Sequence, residues 1–548
     1  MNQVSFIKVP DMLEQRSHVN FIQTLNPLKW AVAMFVGTTL LSACQKNDNG
    51  SSTTEASPVF GTYITGDFHQ HTTYTDGSWS IGYVMAKNNS YNLDFWVNSE
   101  HGGGFTTNGA ASGTDKNTTK YWDQYTPNPI LGTVVMSGAH QVMWRWQCIR
   151  DSSFKQVLAA RALYSSKVIF QGLEMNVPGH EHASTGILTN QFVTNPNVNP
   201  IAEFEYRFDN NDADVTGGLT QGWTKSTNTG HAKALEAISW LQTNHRYRSW
   251  VIPAHPERKN LYSISDFRDL NNAGPDVFFG FESMPGHQKV ADRGEYKAAS
   301  GTYGTCTYGG VGKMSAQVGG LWDAMLSEGR HFWLFANSDF HDTIGDFYPG
   351  EYQKNYISVK SKDPQAIVDG MRSGNVFIVA GNLIDGLQYS IGSAVMGQTY
   401  NANDNSVTIK IRVHDNDKLN HLDIIGGSWT GYVYKGDAKY TVDDVTATTK
   451  VVARFGSTAA AADANGIATQ TWNDNGGWKE MSFTVLATSD MYYRLRGTNW
   501  GLNVTNQTDN VGNPLADNLI VNTRAEALKD LWFYSNPIWV KAKGSKKK

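Results

Sequence analysis

The sequence predicts an α/β domain followed by a smaller all-β domain, and three observations support this prediction. Between residues 60 and 383, short apolar runs alternate with helical patterns, which is typical of α/β sheets and barrels. From residue 384 onward, short strand-like runs are separated by Gly, Asn and Asp turns, as in a small β-sandwich. The chain has 548 residues, of which 40% are apolar, so it can bury a core in each part.

The strands of the first part are predicted from apolar runs, and its helices from apolar residues that recur at helical spacing. Predicted strands lie at 62–67, 95–99, 168–173, 250–254, 277–282 and 332–336. Predicted helices lie at 154–165, 232–244, 321–328 and 364–372. Two insertions rich in Asn, Thr and Gly, 102–146 and 189–228, are long for loops and are expected to fold over a site.

The second part, residues 384–548, is expected to be a small sandwich-like domain with little helix. Its predicted strands lie at 407–413, 422–425, 432–434, 451–455, 481–485 and 492–495. One helix is predicted at 524–531.

Residues 1–43 resemble the signal peptide of a bacterial lipoprotein. Lys29 precedes an apolar run, 30–41, which is too short to span a bilayer but has the length of a signal-peptide core. The run ends in Leu41-Ser42-Ala43-Cys44, which resembles a lipobox, where the chain is cut before a cysteine that is then lipidated.

This resemblance implies a lipid anchor on Cys44, a flexible tether at 44–59, and a place in the bacterial cell envelope. Gln45, where an Asp often marks inner-membrane retention, favours the outer membrane, facing the periplasm or the surface. The alternative is an ordinary cleaved signal with an incidental cysteine.

Composition excludes several classes of protein. A net charge of −4 does not favour nucleic acid as a stable partner. Three cysteines cannot form a disulfide scaffold, and whether Cys148 and Cys306 pair is left open. The chain has neither a G-x-S-x-G elbow nor a P-loop, so a serine-hydrolase or NTPase mechanism is unsupported.

The strongest chemical signal is the segment 66–77, GDFHQHTTYTDG, which follows the first predicted strand. On an extended chain, residues two apart point to the same side, so His69 and His71 can bind one metal centre together. Asp76, on the turn before Gly77, can add an oxygen ligand.

Other residues of the types that bind metal ions follow later apolar runs. They are Glu100 and His101, Glu174, His180 to His182, His255, and Asp339 and His341. In α/β barrels the C-terminal ends of the strands meet at one face, where active sites form. The sequence therefore predicts that these side chains converge.

These segments resemble the PHP superfamily of metal-dependent hydrolases, named for polymerase and histidinol phosphatase. The motif from His69 to Gly77 is similar to the H-x-H-T-x-x-S-D-G of that family, with Thr75 in place of Ser. His101 stands at the ligand position of the second motif, and Glu174 matches the glutamate that bridges metal ions. His255 in Ala-His-Pro and the pair Asp339 and His341 match the last motifs.

The resemblance covers about residues 60–380 and implies a distorted (β/α)7 barrel. It also implies one further histidine ligand, which either His180 or His182 could supply, with His182 preferred. Looser motifs, Gly280-Phe281-Glu282, GGLWDA at 319–324 and SNPIWV at 535–540, resemble a branch that includes a carbaryl hydrolase and often carries a C-terminal β domain.

The number of candidate ligands is greater than the four that one tetrahedral ion binds. It suits a site with two or three divalent ions. Imidazole and carboxylate without thiolate allow Zn, Mn or Fe. Hydrolysis by a metal-bound hydroxide is predicted, with Asp339, His341 and Glu174 taking part in catalysis.

A small-molecule phosphoester is the first expectation for the substrate. Glu282, Arg258 and Lys259 are candidate substrate-binding residues, although Glu282 could instead support a metal ligand or form a salt bridge. The alternatives are hydrolysis of a carbamate, ester or amide, and a non-catalytic lipoprotein that binds metal or another ligand.

Overall fold

The computed structural model describes residues 56–109, 120–188, 199–296, 303–415, 418–442, 444–518 and 523–545. The predicted signal peptide, Cys44 and most of the tether lie outside these residues. The described residues belong to one compact unit. None of the helices within them is both long enough and apolar enough to cross a bilayer.

The first part of the chain contains fifteen strands among its described residues, several of them only two residues long. In chain order they are β1 Thr62–Asp67, β2 Phe95–Asn98, β3 Gly104–Phe105, β4 Thr107–Asn108, β5 Lys120–Tyr121, β6 Met136–Ser137, β7 His140–Gln141, β8 Met143–Trp144, β9 Val168–Met175, β10 Ala183–Ile187, β11 Ser249–Pro253, β12 Gly280–Met284, β13 Trp333–Ala336, β14 Gln353–Val359 and β15 Val376–Ala380.

The rest of the described chain is mainly β-structure. Its strands are β16 Ile384–Ile391, β17 Ala394–Val395, β18 Thr399–Asn401, β19 Ser406–Asp415, β20 His421–Ser428, β21 Lys450–Gly456, β22 Thr469–Thr471, β23 Asn473–Asn475, β24 Trp478–Leu486, β25 Met491–Thr498, β26 Trp532–Ser535 and β27 Ile538–Lys541.

Helices lie mostly in the first part. They are α1 Ile81–Ser90, α2 Arg145–Cys148, α3 Phe154–Leu163, α4 Pro200–Phe208, α5 Gly230–Asn244, α6 Ile264–Ala273, α7 Lys313–Ala316, α8 Leu321–Ser327, α9 Pro364–Ser373 and α10 Thr523–Ala527, with a π-helical turn at Ile149–Ser153. As predicted, α9 begins at Pro364, and the side chain of Asp363 accepts a hydrogen bond from the Ala366 N–H.

One mixed sheet contains fourteen of the described strands. Its order is β11-β10-β9-β2-β1-β14-β15-β26-β25-β20-β21-β22, and β18 and β27 join it beside β25. Strands β1, β2 and β9 are parallel, so their C-terminal ends point the same way. Strands β12 and β13 form a separate parallel pair, and five further strands form the sheet β17-β16-β19-β24-β23.

The α/β class is therefore confirmed, while a closed (β/α)7 barrel and the domain boundary at residue 384 stay predictions. The large sheet crosses this boundary, because β15 pairs with β26, with Phe377 opposite Ser535. The predicted strand at 432–434 is wrong. Its backbone binds side chains instead of a neighbouring strand: the Val433 N–H donates to Glu328, and Arg330 donates to the Val433 carbonyl.

A buried ion pair joins α8 to β25. The Arg494 guanidinium donates two hydrogen bonds, of 2.8 and 2.7 Å, to the carboxylate of Asp323. Both side chains are almost fully buried. The Gly319 N–H, 2.7 Å from Asp323 Oδ2, and the Tyr492 hydroxyl, 3.1 Å from Oδ1, also donate to this carboxylate. The β-rich part is thus attached to the site-bearing part by a polar contact inside the core.

Asp323→Ala is expected to lower the free energy of unfolding by about 3–5 kcal/mol, because it leaves the Arg494 guanidinium buried without its partner. Denaturant unfolding followed by circular dichroism measures this loss. The control is Glu480→Ala, which removes the more exposed pair of Glu480 with Arg412 and is expected to cost less than about 1 kcal/mol. Similar losses for both variants would contradict this account of the junction.

Candidate metal centre

The first two histidines of the site lie just beyond β1. Gln70, between them, forms an isolated parallel bridge with Phe340, so this segment stays extended. His69 and His71 are fully buried, and their Nε2 atoms lie 3.1 Å apart. As the sequence predicts, the two rings share one side of the chain.

Asp67 fixes the position of this segment. Its carboxylate accepts hydrogen bonds from the His69 N–H at 3.0 Å and from the Ser338 N–H at 2.8 Å. Burial raises the pKa of Asp67 to about 7, against the effect of these donors. The side chain thereby ties the first predicted motif to the last one.

Asp76 lies on a tight turn that packs against the first motif. A Cβ atom on Gly77 would lie 2.5 Å from the Thr72 backbone nitrogen, so the turn requires glycine. Oδ2 of Asp76 lies 3.2 Å from His101 Nε2 and 3.4 Å from His341 Nε2. Thus Asp76, the most exposed member of the cluster, faces two histidines from other parts of the chain.

Glu174, on β9, stands at the centre of the cluster and is fully buried. Its Oε1 lies 3.2 Å from His69 Nε2, 2.9 Å from His182 Nδ1 and 3.2 Å from His255 Nε2. Its Oε2 lies 3.0 Å from both His71 Nε2 and His101 Nδ1. The two oxygens of one carboxylate therefore face different groups of histidines, as a bridging ligand would.

Asp339 follows β13 and occupies the left-handed backbone region, with φ of 44°. Residues other than glycine rarely adopt this conformation, and such strain is concentrated at functional sites. Its Oδ1 lies 3.0 Å from His69 Nε2 and 3.1 Å from His71 Nε2. A Cβ atom on Gly286 would lie 2.3 Å from the Asp339 Cβ, so a glycine lets this loop approach.

Three overlapping sets of these side chains could each hold an ion, since in each set the ligand atoms lie within 4.8 Å of one another. The sets are His69, Glu174, His255 and Asp339; His71, Asp76, His101 and His341; and His101, Glu174 and His182. Glu174 belongs to two of them. A neutral imidazole offers one lone pair, so His101 can serve only one ion at a time.

The donor atoms fit metal ions better than hydrogen bonds. Oε2 of Glu174 and both carboxylate oxygens of Asp339 are buried and accept no hydrogen bond, although imidazole nitrogens lie about 3 Å away. Nitrogen and oxygen lone pairs that converge in this way suit divalent ions, and this donor set suits Zn, Mn or Fe.

The pKa values of the histidines are shifted in opposite directions by their surroundings. Although burial lowers the pKa of His69, the carboxylates of Asp339, Glu174 and Glu282 raise it well above its usual value. By contrast, burial and the nearby Arg258 lower the pKa of His255 to about 3. His255 is thus neutral, the form in which imidazole binds a metal.

Glu282 contacts His69 and is fully buried, and a role for it in substrate binding stays a prediction. Its Oε2 accepts a hydrogen bond from His69 Nδ1 at 3.0 Å. With Nδ1 engaged by Glu282, Nε2 is the ring nitrogen that faces Glu174 and Asp339. A carboxylate that orients a ligating histidine in this way raises its basicity.

His287 is a member of the site that the sequence analysis did not select. Its Nδ1 lies 2.7 Å from Asp346 Oδ1, and its Nε2 lies 3.1 Å from Asp339 Oδ2. It follows β12 by three residues and has φ of 54°, so its direction depends on a turn that no periodicity reveals. In the sequence, the only signal for His287 was its position shortly after the end of a predicted strand.

A cavity of about 680 Å³ adjoins the cluster. Its lining includes Asp76, His101, His182, His287 and His341, together with the predicted substrate-binding residues Arg258 and Lys259. Both of these side chains reach Glu181, with Lys259 Nζ 3.0 Å from its Oε2 and Arg258 Nη2 3.4 Å from its Oε1. Two cations thus stand at the rim of a site that is itself rich in carboxylates.

Of the two histidines left open by the sequence, His182 lies in the cluster and His180 does not. His180 stacks on Tyr262, with ring centroids 4.7 Å apart, and its Nε2 contacts His231. Gly179, with φ of 80°, turns the chain just before it, so His180 and His182 do not share one face. Cys148 and Cys306 are both free, so they do not pair.

No protein-family model and no curated protein sequence matches this chain. Among solved structures, one similar chain is a two-domain protein from Bacteroides vulgatus ATCC 8482 that contains a predicted PHP-like metal-dependent phosphoesterase. The chains are 12% identical over 70% of this chain and 83% of the other, with a TM-score of 0.32. A likeness at this level carries no functional argument. The function is argued instead from the residues described above.

Glu282→Gln is expected to weaken zinc binding about 10- to 100-fold, because a neutral amide accepts the His69 hydrogen bond more weakly. Competition with a chromophoric chelator measures the affinity. Glu328→Gln serves as a control, since Glu328 is equally buried but pairs with Arg268 and Arg330 away from the cluster. If Glu328→Gln weakened zinc binding as much, the effect would reflect general destabilisation.

Proposed function

We propose that this protein is a metal-dependent hydrolase that holds two or three divalent ions. The observation that carries this proposal is the convergence of His69, His71, His255 and their neighbours on the buried carboxylates of Glu174 and Asp339. The cluster adjoins an open cavity, as a catalytic site requires and a purely structural ion site does not. Bound ions would lower the pKa of a water molecule and stabilise negative charge that develops on a substrate oxygen.

The side chains have separate roles in this proposal. Glu174 and Asp339 would hold the ions, since each lies close to histidines of more than one set. Glu282 fixes the ring of His69. These contacts position the ligands before any ion binds, which limits the reorganisation needed during reaction.

Residues at the cavity would act on the substrate. Arg258 and Lys259 attract an anionic group towards the cluster, because their charges lie at its rim. His287 Nδ1 lies 2.7 Å from Asp346 Oδ1, and this contact holds the ring with Nε2 towards the reacting groups. His287 Nε2 is thereby placed to hold a proton for a leaving oxygen.

A phosphoester is the proposed substrate class, because the ordered motifs resemble the PHP superfamily and two cations stand at the cavity. The position of the first motif after β1 and of the last after β13 agrees with that resemblance. The substrate itself would be a small molecule, since the cavity is compact.

The test uses purified protein, prepared without chelator, whose bound metals are counted before the assay. Turnover of bis(p-nitrophenyl) phosphate and p-nitrophenyl phosphate is expected, with two or three metal equivalents bound. Asp339→Ala is expected to lower kcat/KM by about 10³-fold or more, because several kcal/mol of transition-state stabilisation are lost. Asp369→Ala, on the exposed side of α9, is the control and should retain full activity.

Each contrary outcome has a clear meaning. Turnover of an aryl carbamate or ester alone would indicate that the same cluster hydrolyses carbonyl substrates instead of phosphoesters. Metal-loaded protein that hydrolyses none of these compounds would favour a binding protein. Protein that binds no metal would overturn the proposal.

We also propose that the protein is exported and anchored by lipid on Cys44. The support is the segment Leu41-Ser42-Ala43-Cys44 after an apolar run of signal-peptide length. In a bacterial host, metabolic labelling with a palmitate analogue is expected to mark the wild-type protein and not Cys44→Ser. Cys148→Ser, which changes a buried thiol, should label like the wild type. Equal labelling of Cys44→Ser would contradict the anchor.

A further inference from the structure

A second group of metal-binding side chains lies outside the cluster described above. His180, His231 and Asp266 each offer one ligand atom, and these atoms lie within 4.8 Å of one another. His231 is in the first turn of α5, and Asp266 is in the first turn of α6. The group therefore joins two helices to the segment that precedes His182.

The hydrogen bonds of the two histidines leave a position that needs a cation. His180 Nδ1 lies 2.8 Å from the Leu261 carbonyl oxygen, which can only accept, so Nδ1 carries the hydrogen. His231 Nε2 lies 3.3 Å from Oδ2 of Asp269, so this nitrogen also carries a hydrogen. The remaining nitrogens, His180 Nε2 and His231 Nδ1, then face each other with lone pairs at 2.8 Å. Either a proton or a metal ion must lie between them.

The position of Asp266 favours the metal ion. Its Oδ1 lies 3.7 Å from His231 Nδ1, which is too far for a hydrogen bond. Ligand atoms around a tetrahedral zinc ion lie about 3.3 Å apart, so a small movement of one ring would admit zinc between all three residues. Two imidazoles and one carboxylate form a donor set that suits zinc and similar transition metals.

Neighbouring contacts hold the three side chains in place. Asp266 Oδ2 accepts hydrogen bonds from the N–H and hydroxyl of Ser263, which directs the other oxygen towards the histidines. The ring of His180 is stacked on Tyr262. Asp269, which orients His231, is itself held by the Tyr440 hydroxyl at 2.6 Å. Such outer contacts are typical of metal ligands.

We propose that His180, His231 and Asp266 form a separate site for a zinc-like transition metal, with a fourth position open to solvent. His231 and Asp266 retain 31% and 25% of their side-chain exposure, so an ion and a water molecule can reach them. The site shares no ligand with the cluster around Glu174. The proposal of this second site therefore does not depend on the proposed hydrolase activity.

The experiment counts zinc bound by purified, chelator-stripped protein after equilibrium dialysis against Zn²⁺. His231→Gln and His180→Gln are each expected to bind about one equivalent less than the wild type. His245→Gln, at the other end of α5, is the matched control and is expected to bind as much as the wild type. Asp339→Ala should keep the equivalent at this site whatever happens to its activity.

A second measurement does not depend on the variants folding. Crystals of the wild type soaked in zinc are expected to show an anomalous difference peak between His180 Nε2 and His231 Nδ1. Undiminished zinc in both histidine variants, or no anomalous peak at this position, would overturn the proposal. Loss of zinc in His245→Gln as well would also count against it, because that residue contacts none of the three ligands.

Discussion

The burial of two carboxylates with no arginine or lysine paired to them is the constraint on which the site depends. Some buried carboxylates elsewhere in the described residues lie against guanidinium groups, as Asp323 does with Arg494 and Glu328 with Arg268. Glu174 and Asp339 are surrounded by imidazoles instead. A buried charge is costly unless it is paired, so these two residues require either protonated histidines or metal ions around them. The fold meets this need by bringing the ends of several strands, and with them the histidines, to the two carboxylates.

The convergence of these side chains could be predicted from the sequence more readily than the pairing of the strands, for a physical reason. His69, His71, Glu174 and Asp339 lie on or close behind apolar strands, and burial of a strand leaves a strong pattern in the sequence. Whether such strands close into a barrel leaves no such pattern, because closure depends on which edges pair. Strand β14 pairs antiparallel with β1 on one side and with β15 on the other, an arrangement that apolar runs cannot distinguish from a parallel one.

The residues that prediction missed depend on turns. His287 reaches the cluster through a left-handed backbone conformation, and His180 leaves it after the turn at Gly179. Helix α4 lies in a segment whose polar composition suggested a loop. It is stabilised by tertiary contacts of Ile201, Phe204 and Phe208, which are buried in the core. Local composition understates such helices, because packing of one face supplies most of their stability.

The link from Asp67 to Ser338 has a consequence for how the proposed hydrolase would acquire its ions. The two residues are 271 positions apart, and their hydrogen bond joins the first ligand segment to the last. Contacts between such distant parts of a chain require most of the fold to be in place. In the proposed hydrolase, a partly synthesised chain would have the first histidines but not Asp339, so it would capture metal only weakly and without selectivity. The metal content of the finished site would then be determined by the compartment in which the chain completes its folding.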